Sequence, residues 1–310
     1  MNFKKKVGIA LLYAVLICVT VVAAINVRNF IDNPFDTIEN FEMADIEETN
    51  GMVKFNVLIL GLDKTATLSD VIMVLRYDEE HNRLAAMSIP RDTYVQYNGR
   101  AMLINSVYGA GGINATAKAV KELTGLKINY YVQFGVGTFA ELVDLLGGVE
   151  FDVPQNMNYD DDVQGLHIHL QKGMQTLNGK QAEELVRFRG YPQADLKRVE
   201  VQQNLLKALL EQKLSAEYIT DIPHIYSSLK DNIKCNMSLK DMLVYGKSML
   251  KLNLSTDVYT CTMPTLFTGV DAHLYYDRTG TDKVMEQMFL TEGPVTDNAP
   301  YDVDNAQTTN

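Results

Sequence analysis

The chain has 310 residues, 46% of them apolar, with 28 basic and 39 acidic side chains and a formal charge of −11. The apolar share excludes intrinsic disorder for most of the length. The acidic balance argues against general nucleic-acid binding, which needs Lys and Arg clustered against phosphates.

The charge is uneven. Residues 1–28 contain Lys4, Lys5, Lys6 and Arg28 and no acid. The uncharged run Val7 to Ile25 follows the three lysines. As a helix it spans about 28 Å, close to the hydrocarbon core of a bilayer. It predicts a single transmembrane anchor with a cytoplasmic N-terminus, because Lys collects on that side. A cleaved signal peptide is the alternative, left open by Val22-Ala23-Ala24; the length of the run and the polar Asn26 and Arg28 behind it favour an uncleaved anchor. On either reading the chain beyond residue 28 faces outside a cell membrane.

Residues 29–50 hold seven acids and no base and read as a stalk. Residues 291–310 hold four acids, two prolines and no base and read as a loose tail. Between them, residues 51–290 form one nearly charge-balanced domain. There Val53, Phe55, Val57 and Ile59 alternate as a strand, and Val71 to Leu75 and Leu84 to Ile89 read as buried strands. Ala115 to Leu123 predicts a helix stopped by Gly125. Thr138 and Glu141 suggest a capping box opening a helix over 139–146. Val149 to Val153 alternates and ends at Pro154, Leu166 to Leu170 alternates again, and 199–214 is an amphipathic helix that Arg198 opens. Strands interleaved with helices predict a mixed α/β fold, a central β-sheet flanked by helices.

Cys235 and Cys261 are the two external cysteines, and their spacing does not say whether they pair. Neither a phosphate-binding Gly-x-x-x-x-Gly-Lys loop nor a Gly-x-Ser-x-Gly elbow occurs. His167 and His169 share one strand face, which strand alternation explains; two imidazoles alone do not complete a metal site. Asp160-Asp161-Asp162 reads as a solvated loop.

Arg187-Phe188-Arg189 reads as a strand that puts both guanidinium groups on one face and Phe188 in the core. Arg198 and Gln202 share a helical face, and Arg91 follows a strand end, where α/β sheets place ligands. Together they suggest an anion site, although surface ion pairs explain isolated arginines equally well. Asp63 follows one strand and Asp70 precedes the next. A short loop brings the two carboxylates together, and an oxygen-only pair suits Mg²⁺ better than zinc. Two turn aspartates are the plainer reading.

These residues lie within an ordered series of motifs: Asn56-Val-Leu-Ile-Leu-Gly-Leu-Asp63, Ser69-Asp70, Ser88-Ile-Pro-Arg-Asp92, Ile104-Asn105, Tyr108-Gly-x-Gly-Gly112, Tyr130-Tyr131, Leu145-Leu-Gly-Gly-Val149, Gly173-x-Gln-x-Leu-Asn-Gly179, Val186-Arg-Phe-Arg189 and Asp195-x-x-Arg198-x-x-x-Gln202-Gln203. The series resembles the LytR-CpsA-Psr (LCP) family, strongly over residues 53–215 and weakly to about 285. The resemblance implies an α/β/α sandwich with an apolar groove for a lipid. It implies a phosphotransferase that ligates an anionic glycopolymer, such as teichoic acid or capsular polysaccharide, from a polyprenyl-pyrophosphate carrier onto peptidoglycan. Asp63 and Asp70 would then hold Mg²⁺, and Arg91, Arg187, Arg189, Arg198 and Gln202 would bind the pyrophosphate. Asp92 or Asp195 would orient arginines or act as base, beside Arg91 in the catalytic group.

The sequence departs from the family pattern at Leu68, where Arg usually precedes Ser-Asp, and at Leu103, where Lys usually stands; Arg100 is a nearby replacement charge. The departures keep two further expectations in view: a non-catalytic polyprenyl-phosphate-binding regulator of the envelope, and a hydrolase of the pyrophosphate link.

Overall fold

The computed structural model describes residues 41–63, 65–162, 166–191, 194–267 and 274–290. The expected anchor over 7–25, the stalk up to residue 40 and the tail from 291 lie outside them. Among the described residues no helix is long and apolar enough to cross a membrane.

The chain is built around strands β2 (Met52–Leu62), β3 (Ser69–Asp78), β4 (Arg83–Ser88), β7 (Tyr130–Gly135), β12 (Ile233–Cys235) and β13 (Val258–Thr262). They lie side by side in the order β12-β7-β2-β3-β4-β13, with the short β1 (Glu47–Thr49) also paired to β2. The sheet is mixed, since β2 runs parallel to β7 and β4 parallel to β13 while the other pairs are antiparallel. Both faces are covered, which explains why β3 and β4 read as buried apolar runs.

One face carries Leu58, Leu60, Ile72, Val74 and Met87, packed against Ile104, Val107 and Val120 of helix α1 (Ile104–Thr124). Phe55, Val57, Tyr77 and Tyr130 turn the other way, toward Tyr245 of a helix over Leu239–Met249. This is the α/β/α layering expected. Period-two side-chain alternation sends Leu58 and Leu60 to one layer and Phe55 and Val57 to the other.

A smaller lobe extends the sandwich. Hairpin-like pairs β8 (Val149–Val153) with β11 (Gly173–Leu177), and β9 (Met157–Asp161) with β10 (Leu166–Leu170), pack their apolar faces against three helices. These are α2 (Val136–Leu145), α3 (Gly179–Arg187) and α4 (Ala194–Lys213).

Several local expectations change. Residues 41–50, read as stalk, pack on the domain: the Phe41 ring lies edge-on to Tyr131 at 4.8 Å, and Asn129 Nδ2 donates to the carbonyls of Ala44 and Asp45. Helix α1 begins at Ile104 instead of Ala115, and passes through a kink at Gly112 (φ 67°). Gly125 does end it in a left-handed conformation, its N–H bonding the Lys121 carbonyl. No capping box forms at Thr138. Helix α2 starts three residues earlier, at Val136, with Gly135 as its cap, and both Thr138 and Glu141 engage Asn232 instead. Arg187 is the last residue of α3 and not part of a strand; Phe188 is extended and buried as expected, leaving Arg189 exposed. Helix α4 starts at Ala194, so Arg198 lies in its second turn.

The cysteine question closes. Cys235 lies on β12 and Cys261 on β13, at opposite ends of the sheet with four strands between them. At about 4.8 Å per strand they are some 24 Å apart, beyond the roughly 7 Å a disulfide spans. Both are free and buried, and burial pushes each thiol up to about 12.

Candidate functional site

The C-terminal ends of β2 and β4 and the start of β3 meet at one edge of the sheet. Pairing runs from Gly61 opposite Val71 directly to Leu62 opposite Ser69, so Asp70 is an extra residue in the β3 strand. Such a bulge bends a strand and re-aims a side chain. Here the Asp70 carboxylate meets Arg91, with Arg91 Nη1 2.5 Å from Asp70 Oδ1. Arg91 is held by its own turn. Thr93 N–H and Oγ1 both donate to the Pro90 carbonyl, and the Asn105 N–H, from the first turn of α1, donates to the Arg91 carbonyl. Asp92 Oδ1 stands 3.7 Å from Arg91 Nε, a buried donor without a hydrogen-bond acceptor.

Asp63 organises the β2–β3 loop. Its carboxylate accepts from the Thr65 hydroxyl (2.5 Å) and from the backbone N–H groups of Thr67 (2.8 Å) and Leu68 (2.9 Å). Burial raises its carboxyl, but those donors outweigh burial and hold it below the usual carboxylate range. The loop rests on α1 at Gly109, where a Cβ would stand 2.6 Å from the Thr67 carbonyl oxygen. The glycine of the Tyr108-Gly-x-Gly-Gly motif therefore makes room for the Asp63 loop.

A cavity of about 490 Å³ opens beside this loop, lined by Asp63, Ala66, Gln133, Phe134, Glu183 and Lys234 among others. Glu183 Oε1 accepts from Arg187 Nη1 at 2.7 Å, which brings the end of α3 to the cavity. Gln202 Nε2 donates to the Val186 carbonyl at 3.1 Å, tying α4 to the same helix end. Arg198 is buried (3% exposed) in α4, and Arg189 is exposed with no ion pair among the described residues. Asp195 lies in the first turn of α4; its side chain is outside the described set.

Asp63, Asp70, Arg91 and Asp92 thus share one sheet edge, and Arg187 borders the adjoining cavity through Glu183. Gln133 was missed by sequence reasoning. It is buried in β7, lines the cavity, and its Oε1 has no donor. No sequence signal marks it, since it sits in an ordinary strand pattern.

The donor set at Asp63 and Asp70 is all oxygen and suits a hard divalent cation. Asp63 Oδ1 takes two N–H groups and Oδ2 one hydroxyl, so Oδ2 retains a lone pair; Arg91 occupies only Oδ1 of Asp70. The two residues fit Mg²⁺ in kind. Among the described residues, the trio whose ligand atoms lie closest is elsewhere, at Asp78, Glu80 and His81. Lys54 Nζ already sits 2.6 Å from Glu80 and 3.6 Å from Asp78 there, which accounts for the cluster as an ion-pair network.

The model of the LytR_cpsA_psr family matches residues 19–290, and the chain belongs to that family. It is 27% identical to the polyisoprenyl-teichoic acid–peptidoglycan teichoic acid transferase TagV of Bacillus subtilis, over 84% of this chain and 71% of that protein. It is 29% identical to the like-named TagU of Bacillus anthracis, over 62% of this chain and 64% of that protein. The crystal structure of B. subtilis TagV superposes with a TM-score of 0.66 at 26% identity, covering 76% of this chain and 95% of that one.

Proposed function

We propose that the chain is a membrane-anchored phosphotransferase that moves an anionic glycopolymer from a polyprenyl-pyrophosphate carrier onto peptidoglycan. An acceptor sugar hydroxyl attacks the phosphorus next to the polymer. The bond from that phosphorus to the bridging oxygen breaks, polyprenyl phosphate leaves, and the polymer remains joined through a phosphodiester. The hydroxyl proton passes to Asp92 or Asp195. The reading rests on one observation: Arg91 is clamped by the bulge residue Asp70 beside Asp63, in a chain whose named relatives are teichoic acid transferases.

Phosphoryl transfer needs positioning and charge neutralisation more than covalent help. Arg91 holds Asp70 through Nη1 and brings its positive charge to the site. Arg189 adds an exposed cation, Arg187 and Arg198 add charge from α3 and α4, and Gln202 fixes the end of α3 that carries Arg187. Mg²⁺ held by Asp63 and Asp70 would neutralise the pyrophosphate. The residue 7–25 run anchors the domain outside the cell membrane of a Gram-positive-type envelope, with the N-terminus cytoplasmic.

The test is to incubate the full chain in membranes with a short polyprenyl-pyrophosphate oligosaccharide, Mg²⁺ and peptidoglycan oligomers. Polymer attached to peptidoglycan supports the proposal. Lipid binding without turnover, or free phosphorylated sugar, would replace it with the regulator or the hydrolase.

A further inference from the structure

The β9–β10 hairpin carries a second group of chemically active side chains, on the smaller lobe and separate from the sheet edge that bears Asp70 and Arg91. His167 is the direct cross-strand partner of Asp160, and His169 is two residues further along the same strand. Strand alternation puts Leu166, Ile168 and Leu170 in the core and both imidazoles outside with Asp160. His167 Nδ1 lies 2.8 Å from Asp160 Oδ1, and His169 Nε2 lies 3.2 Å from the same oxygen. Asp162 Oδ1 lies 3.9 Å from His167 Nε2, the ring nitrogen that does not meet Asp160. Nitrogens of two imidazoles therefore meet one carboxylate oxygen on an exposed face, with Asp162 at its rim.

We infer that this face is a binding site for a borderline divalent transition metal, of which Zn²⁺ is the representative. Imidazole nitrogen with carboxylate oxygen is the donor mixture such ions prefer, at bonds of about 2.0–2.2 Å. Tetrahedral bonds of that length space the ligand atoms roughly 3.3 Å apart. The two His–Asp160 separations are of that size. The spread across the whole set is wider, so closing on an ion requires the rings to turn. Both are half exposed, at 50% and 58%, and have the room. The Asp78, Glu80 and His81 trio is tighter but already holds Lys54, whereas no Lys or Arg pairs with Asp160, Asp162, His167 or His169 among the described residues. A bound ion would staple β9 to β10 above the core they share with Leu185 and Phe188.

The experiment is a competition titration of Zn²⁺ against a chromogenic chelator, using the full chain without an affinity tag. One equivalent is expected to bind with at least micromolar affinity. His167→Ala and His169→Ala should each weaken binding by roughly tenfold or more, and Asp160→Asn comparably. His81→Ala should leave it unchanged. Because the hairpin side chains are exposed, the variants keep the fold, and an unchanged circular dichroism spectrum checks this. Absence of Zn²⁺ binding by the wild-type chain, or wild-type affinity in the His167→Ala/His169→Ala double variant, would overturn the inference.

Discussion

Asp70 occupies the extra position of a β-bulge and holds Arg91 by an ion pair of 2.5 Å. Neither residue is near the other in sequence. The bulge turns the Asp70 side chain toward the turn that Pro90, Thr93 and Asn105 fix around Arg91. A structural irregularity in the hairpin thus sets the position of the arginine on which the proposed chemistry depends.

Arg91→Lys tests that arrangement. Lysine keeps the charge but offers a single point donor, so it cannot hold Asp70 and a phosphate together in a fixed fork. The variant is expected to fold with a melting temperature close to wild type, because the pair is partly exposed and such pairs contribute little to stability. Transfer should slow by about 10²–10³-fold, the scale of losing one oriented donor. Thermal unfolding and turnover measured side by side check this.

Gly109→Ala probes the support under the Asp63 loop. The added methyl would stand 2.6 Å from the Thr67 carbonyl, which is backbone and cannot swing aside. The expected cost is about 1–3 kcal/mol, the range for overpacking. Transfer should fall more than the unfolding midpoint does, because the displaced segment carries Asp63. Wild-type turnover in this variant would show that the loop position does not matter.

Asp63 carries a pH signature. Its carboxyl is lower in the folded chain than in the unfolded one, so its contribution to stability is present above the unfolded value of about 3.9. That contribution is lost as pH falls through the folded value. Asp63→Asn should therefore melt below wild type at pH 7, and the gap should close as the pH drops below about 4. A gap that widens with acid would contradict the hydrogen-bond assignment.

The cysteines give a chemical prediction. In the native chain Cys235 and Cys261 should resist alkylation at neutral pH, being buried and protonated. In denaturant both should react without a reductant, since no bond joins them. Mass spectrometry of the alkylated chain counts the modified sites.

Much of the fold was legible where periodicity was strong. The strands over 53–59, 71–75, 84–89 and 149–153, the Gly125 helix stop and the buried Phe188 all follow from the residues themselves, the first strand running on to Leu62 and the third ending at Ser88. What was lost depended on partners distant in sequence. Thr138 and Glu141 match a capping box, yet Asn232 takes both side chains. Arg187 belongs to a helix because Asn178 caps its start and Glu183 pairs with it one turn earlier, signals weaker than the alternating pattern that suggested a strand. Residues 41–50 look like stalk by charge, but Phe41 and the contacts to Asn129 dock them. At the site, Asp63, Asp70 and Arg91 stand out by position after or before strands. Gln133 and Gly109 do not, because an unsatisfied buried oxygen and a close backbone approach exist only in three dimensions.

The most direct measurement compares wild type, Asp70→Ala and Arg189→Ala in membranes, following polymer joined to peptidoglycan and polyprenyl phosphate released. The account predicts that wild type yields both products in equal amounts, and that each variant stays folded and yields neither. Full transfer by both variants, or no attached polymer from the wild-type chain, would contradict it.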